Sequence, residues 1–434
     1  MEIAGFETEL ACNASSFPGK SRVFKQSDRL FVVSWLLNRC RPLFSPVKII
    51  HMKRFLILLT FCIGLGPLFA QDLPSTLNGY QFSIKKMAGA TPVENQNKSG
   101  TCWVYSANSF FESELIRMGK PPVNLSEMYI VHAGYLERAD NYVRRQGAAA
   151  FGQGAETHDV LKIIRKYGLM PYSAYSGFPA GQDKPVHGEM EAVLKAIVDA
   201  VIKTPDGKLS GQWRDAFAGA LDGYMGTPPA KFTVNGKEYT PQSYFQSTGI
   251  NLDDYVALTS YTHHPFYKPF VLEVSDNWSN GQFYNVPIDE FEQIADNAVE
   301  NGYSVVWASD VSEKTFSAKE GLAVWPEKAW ADMSADERNE IFKAPHKEKV
   351  VSQEERQQGF DELTTTDDHG MHITGYVTDQ AGTKYFIVKN SWGVVNPEMN
   401  GYLYVSEPYF RAKTMSMLVH KDAIPVAIRK KLGI

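Results

Sequence analysis

Gln96-Asn97-Lys98-Ser99-Gly100-Thr101-Cys102-Trp103 places a thiol immediately before the apolar run Trp103, Ala107, Phe110, Phe111, Leu115 and Met118. The i, i+3, i+4 spacing of that run predicts a buried amphipathic helix with Cys102 at its N-terminus. There the unpaired N–H groups and the positive end of the helix dipole favour thiolate over thiol, the condition for a cysteine nucleophile near neutral pH. Six residues upstream, the Gln96 carboxamide is within loop reach of an oxyanion that the Cys102 N–H would also face. That is half of an acyl-transfer site. An arbitrary cysteine is more often a small buried hydrophobe, so the reading depends on what the rest of the chain supplies.

With 434 residues, 44% hydrophobic and 21% charged, the chain holds enough material for one large domain or two of ordinary size. Its beginning reads differently. Met52-Lys53-Arg54, the apolar run Phe55 to Leu65 and Gly66-Pro67-Leu68-Phe69-Ala70 form the positive, apolar and small-residue parts of an export leader cut before Gln71. The run is shorter than the roughly 20 apolar residues of a membrane span, so no stable membrane anchor is expected. Residues 1–51 carry no pattern and read as translation from a start upstream of Met52. Cutting at Ala70 removes Cys12, Cys40 and Cys62 and leaves Cys102 alone, without a disulfide partner. It also removes 9 of 44 Lys+Arg and 4 of 49 Asp+Glu, leaving 35 against 45. So acidic a chain offers no broad basic surface for nucleic acid.

Along the remaining 71–434 domain, residues 71–92 suit an extended segment leading to the nucleophile, and Pro121-Pro122 bounds the Cys102 helix. Ser126 caps a second helix through Met128, Val131 and Tyr135. Gly147 to Gly154 is a small-residue loop without the order of a phosphate-binding fingerprint. Glycines there admit close approach of another backbone, a bound peptide being one candidate and an ordinary flexible loop the other. A helix through Val160, Ile163, Ile164 and Tyr167 closes at Gly168. Residues 172–255 read as a largely helical insertion, with turns at Thr227-Pro228-Pro229 and Asn235-Gly236. Strand texture follows at Tyr255 to Leu258, Phe270 to Val274 and Tyr303 to Trp307, with a helix from Ile288 to Val299 between the last two. Ser334 with Glu337 and Ser352 with Glu355 form capping boxes.

The second half of the chemistry lies near the C-terminus. His369 to Val377 and Lys384 to Asn390 read as two strands joined at Gln380-Ala381-Gly382. Antiparallel pairing across that turn brings His369 at the start of one arm to Asn390 at the end of the other. The Asn390 carboxamide oxygen can then accept an imidazole N–H and fix the tautomer, with Trp392 covering the bond from water. His369 and His372 have odd separation and point to opposite faces, so one of them faces the thiol. The same parity weakens a metal site built from them with Asp367 and Asp368. His263-His264 receives no chemistry.

Asn95-Gln96, Ser99-Gly100 and Cys102-Trp103, then His369 with Gly375-Tyr376, then Asn390-Ser391-Trp392-Gly393, resemble the papain-like cysteine peptidases in order, spacing and flanks. Matching His-x-x-x-x-x-Gly-Tyr puts that family's catalytic histidine on His369 rather than His372. The long interval from Cys102 to His369, Asn124-Leu125-Ser126-Glu127 leading to Glu137-Arg138-Ala139, and Pro287-Ile288 through Val306-Trp307 to Asp310-Val311 look like the bleomycin hydrolase or aminopeptidase C branch. The resemblance implies an α+β fold of two lobes, a helical one carrying Cys102 and a β-rich one carrying His369 and Asn390, with the insertion added. It implies peptide hydrolysis without metal or cofactor: Cys102 attacks, His369 moves the proton, Asn390 orients it, and Gln96 with the Cys102 N–H holds the oxyanion. Trp103, Gly152, Gly154 and Trp392 are the cleft candidates. A C-terminal arm in the cleft and a hexameric homo-oligomer are implied by the resemblance alone, and the tail from Ala423 to Ile434 departs from that arm in sequence. The leading expectation is an exported thiol aminopeptidase acting on peptides. The alternatives are an open-cleft endopeptidase and a peptide-binding homologue without activity.

Overall fold

The computed structural model describes residues 73–434 apart from 180, 205 and 206. The expected upstream extension (1–51) and leader (52–70) lie outside the described residues.

Helix α1, Cys102–Arg117, runs through the middle of the helical lobe. Every residue from Trp103 to Leu115 is buried, Ser106, Asn108, Ser109, Glu112, Ser113 and Glu114 included. The amphipathic helix expected from the apolar stripe is therefore a central helix buried all round. From its polar residues Ser109 meets His372 and Lys389, and Glu114 meets Tyr255, on strands of the other lobe, and Met118, counted in the apolar run, is its exposed C-cap. Helix α2, Glu127–Arg144, starts where the sequence places it, with Ser126 Oγ accepting from the Tyr129 N–H. Helix α3, Asp159–Tyr167, stops at Gly168 with φ 83°. The insertion supplies α4 (Gly188–Ile202), α5 (Gln212–Met225) and α6 (Pro241–Thr248). Between α5 and α6 lies a small hairpin, Phe232–Val234 with Lys237–Tyr239, turned by Asn235 and Gly236 at positive φ. Met190, Leu194, Val198, Phe217, Leu221 and Met225 pack into the same core as Trp103, Phe110 and Val131. The insertion thus enlarges the helical lobe instead of forming a domain of its own.

The β-rich lobe is an eleven-stranded sheet. Its central strands are β1 (Ser83–Met87), β2 (Tyr255–Thr259), β3 (Val305–Ser309), β4 (His369–Thr378), β5 (Lys384–Lys389), β6 (Tyr402–Ser406) and β7 (Thr414–His420). They lie in the order β6-β5-β4-β3-β7-β2, with β1 also paired to β4. The segment expected only to be extended before the nucleophile is thus an antiparallel neighbour of the histidine strand, Met87 standing opposite Gly375. A Cβ at Gly375 would run into the Lys86 carbonyl, which is why the position has no side chain. Helix α7, Ile288–Glu300, covers one face of the sheet: Phe291, Ile294 and Ala298 share a core with Trp307, Met371, Ile373, Phe386 and Met417. Helix α8, Gln353–Asp361, begins at the Ser352–Glu355 capping box. The last helix, α9 (Val426–Leu432), sinks Ile428 and Leu432 into the core under α7. Among the described residues no helix is long and apolar enough to cross a membrane.

Candidate active site

The two lobes meet where the first turn of α1 faces the start of β4. Gly370 lies so close that a Cβ on it would stand 2.9 Å from Ser106 Oγ and 3.3 Å from the Cys102 carbonyl oxygen. The loop ahead of α1 is tied down by its own polar groups, Ser99 Oγ to the Gln96 carbonyl at 2.7 Å and to Thr101 Oγ1 at 2.6 Å. It is also tied to the other lobe. The Gln96 N–H donates to the Ser391 carbonyl at 2.8 Å, and Ser391 Oγ donates to Gln96 Oε1 at 2.6 Å. Gln96 Nε2 donates one hydrogen to the Ser99 carbonyl at 2.8 Å and has a second N–H to give.

His369 Nε2 lies 2.7 Å from Asn390 Oδ1, both residues being buried. Since that oxygen accepts only, Nε2 carries the proton and Nδ1 is the basic nitrogen. The same Asn390 oxygen accepts the Ser391 N–H at 2.7 Å, which fixes the carboxamide. Trp392 stacks on the imidazole with ring centroids 4.6 Å apart and planes at 26°. His372 goes elsewhere. Its Nδ1 sits 2.9 Å from Ser109 Oγ, two turns down α1 from Cys102, in a buried polar cluster with Lys389, Thr91 and Glu112. Lys389 Nζ donates to Thr91 Oγ1 at 3.0 Å and Ser109 Oγ at 2.8 Å. Burial raises Glu112 to about 7 against the pull of Lys389.

Cys102 and His369 line one cavity, together with Trp103, Ala155, Glu156, Thr157, Asp276, Ala308, Asp367, Asp368 and Gly370. Cys102 keeps some exposure as a residue, yet burial is the largest influence on its thiol and pushes it up to about 12. The Gly370 and Trp103 backbone N–H groups act in the opposite direction, and Asp367 and Asp276 add to the rise. Burial likewise takes His369 down to about 4 despite its bond to Asn390. Desolvation thus acts on Cys102 against the thiolate that the helix N-terminus favours, and acts on His369 against the imidazolium.

Among the cleft candidates, Trp103 lines the cavity, and its Nε1 donates to the Gln153 carbonyl at 2.9 Å. Gly152 and Gly154 are not in its wall. What approaches Gly154 closely is the Asp276 carboxylate, and a Cβ at Gly152 would be in ordinary contact with Glu191. The carboxylates Glu156 and Asp276 carried no sequence signal because they come from distant segments that no local spacing joins, and Asp367, weighed from sequence only as a metal ligand, stands beside them. His263, His264 and Glu273 place one ligand atom each within 4.8 Å of one another, but none of the three lines the Cys102 cavity.

The sequence model of the Peptidase C1-like family matches residues 224–433, the part carrying His369 and Asn390. Aminopeptidase G of Lactobacillus delbrueckii subsp. lactis is 24% identical over 370 residues, covering 76% of this chain and 80% of its own. Aminopeptidase C of Streptococcus thermophilus is 22% identical over 389 residues, covering 80% and 83%. The fold is that of the solved PepW of Lactobacillus rhamnosis HN001, with a TM-score of 0.62 at 19% identity and 95% of each chain covered. The nucleophile helix set against the histidine strand, together with the Peptidase C1-like match and the shared fold, supports a papain-like cysteine peptidase. Within that class the aminopeptidase G and C relatives support the bleomycin hydrolase and aminopeptidase C branch.

Proposed function

We propose that the protein is an exported aminopeptidase that removes residues from peptide N-termini through a thioester on Cys102. The observation that carries the mechanism is the 2.7 Å bond from His369 Nε2 to Asn390 Oδ1, which leaves Nδ1 as the base on the cavity shared with the thiol. His369 Nδ1 holds the proton taken from the thiol as sulfur attacks the carbonyl carbon. The Cys102 N–H and the free Gln96 N–H receive the developing oxyanion. The imidazolium then protonates the leaving amine, the C–N bond breaks, and the acyl group remains on sulfur. Water, deprotonated by His369, hydrolyses the thioester and restores the thiol. Asn390 holds the imidazole plane and Trp392 shields their hydrogen bond.

The names of the relatives, several of them aminopeptidases, support removal of N-terminal residues. The leader pattern at 52–70 supports export. Mass spectrometry of two matched peptides, one with a free α-amine and one N-acetylated, tests the specificity against a Cys102→Ala control. Stepwise loss from the free peptide alone is the expected result. Internal cuts in both would replace the aminopeptidase by an endopeptidase, and no Cys102-dependent cutting would leave a peptide-binding homologue. Export is tested by N-terminal sequencing of protein recovered outside the cytoplasm, with Gln71 expected first.

A further inference from the structure

The cavity beside Cys102 carries more acid than the hydrolytic steps use. Glu156, Asp276, Asp367 and Asp368 all line it. Glu156 is only 1% exposed, and its Oε2 accepts from Ser416 Oγ at 3.2 Å. Its carboxyl meets that of Asp367, and apart from that neighbour its Oε1 has no partner. Thr157, 2% exposed on the same wall, also has an unpartnered Oγ1. The charged groups that act on the Glu156–Asp367 pair are further acids, Asp159, Asp276 and Asp368. Arg138, the cation that acts on Asp276, donates from Nη1 and Nη2 to the Gly152 and Gly154 carbonyls and leaves its Nε unpartnered.

Buried acceptors without donors call for a partner, and buried carboxylates in contact, both raised chiefly by burial, are met by a shared proton or by a cation that displaces it. The acids also oppose the chemistry next to them, since Asp367 and Asp276 raise the thiol of Cys102. A cation held among them would cancel that field at the moment of attack. The space is small, about 260 Å³ with its open mouth included, which suits a charged head group and not a folded ligand. The chain's own C-terminal helix α9 is packed under α7 and does not line this wall.

We propose that this cavity is the subsite for a substrate ammonium group, with Glu156 and Asp367 as its acceptors and Asp276 as supporting charge. On the aminopeptidase reading, on which this step rests, the group is the α-ammonium of the first residue. Held beside the nucleophile, it leaves room for one residue on the acyl side, so cleavage falls after that residue. The same chemistry could be met by a lysine ε-ammonium one residue further from the scissile bond, and the test separates the two.

The test compares three coumarin amides on the full chain: alanyl, N-acetylalanyl and N-acetyl-lysyl-alanyl. The variants are Glu156→Gln, Asp367→Asn and the double, each checked by the rate at which neutral iodoacetamide alkylates Cys102. Loss of a charge-assisted contact predicts a rise in KM for the alanyl amide of about tenfold or more, with kcat changed less and the preference over the acetylated amide narrowed accordingly. Alkylation should stay equal or become faster. Should the wild type prefer the free amine and the double variant keep that preference, the subsite is overturned while the aminopeptidase stands. Should the wild type prefer the acetyl-lysyl amide and the double variant lose it, the ammonium site stands and the aminopeptidase falls. Variants that change neither preference overturn the proposal. A variant that fails to fold is replaced by protection of the wild type, where alaninamide should slow alkylation of Cys102 and N-acetylalaninamide should not. Equal protection by both overturns the site.

Discussion

Replacing Asn390 by alanine removes the one acceptor that defines the tautomer of His369. The bond is 2.7 Å long between groups 4% and 5% exposed, so water cannot restore it without displacing Trp392. The Ser391 N–H loses the same acceptor. Leaving a buried donor unpaired costs about 1–3 kcal/mol, and a group held less firmly in its reactive orientation carries a similar penalty into the transition state. The expected loss in kcat/KM is therefore about fivefold to about a hundredfold, well short of the loss on removing the nucleophile. The assay is hydrolysis of a free-amine coumarin amide, normalised to active sites by alkylation of Cys102. Asn390→Asp sharpens the test through sign. A carboxylate beside Nε2 favours the imidazolium, so the acid limb of the rate profile, set by a base now held near 4, should move to higher pH. Unchanged kcat/KM in Asn390→Ala, or an acid limb unmoved in Asn390→Asp, would refute the role assigned to this bond.

His369→Ala should abolish turnover, whereas His372→Ala, which removes a buried bond to Ser109 and an edge contact with Phe110, should lower stability by about 1–3 kcal/mol and turnover far less; thermal melts beside kinetics decide. Gly370→Ala puts a methyl 2.9 Å from Ser106 Oγ and should push β4 off α1, destabilising by about 1–3 kcal/mol and reducing kcat/KM, with partial rescue by Ser106→Ala. Glu348 is raised from 4.5 to about 7 by burial. Its protonated form is thus favoured by folding, and its contribution is full below about 4.5 and lost as pH rises through about 7, on the order of 3 kcal/mol. Glu348→Gln should flatten the fall in melting temperature between pH 5 and pH 8, and an unaltered fall would show that other groups set it.

Local chemistry made the scaffold legible. The Ser126 cap, the Gly168 stop, the Asn235-Gly236 turn and both serine capping boxes are short-range devices, and each fixes its element where the sequence places it. The hairpin that brings His369 to Asn390 was readable for the same reason: one turn fixes its register, and even the bulge between Ile373 and Gly375 leaves the two ends together. What stayed hidden depends on contacts between distant segments. The polar stripe of α1 reads as a solvent face until Gly370, His372 and Lys389 are laid against it, and Ser83 to Met87 show no partner until β4 exists. The strand expected through Val274 ends at Val271, where the Asn277 side chain reaches back to the Leu272 carbonyl and turns the chain. Desolvation of the thiol was equally out of reach, because a helix-end argument counts the dipole and not the walls.

The nucleophile and its base are separated by 267 positions in the chain, and β1, which precedes the nucleophile, pairs with the strand that carries the base. During synthesis, α1 therefore emerges with its polar stripe uncovered and must wait for residues 369–389 before Ser109 and Cys102 find their partners. Such long-range closure is slow and comes late. Proteolytic competence is consequently a property of the completed chain, and a nascent or partly threaded polypeptide holds a thiol that has no base to activate it.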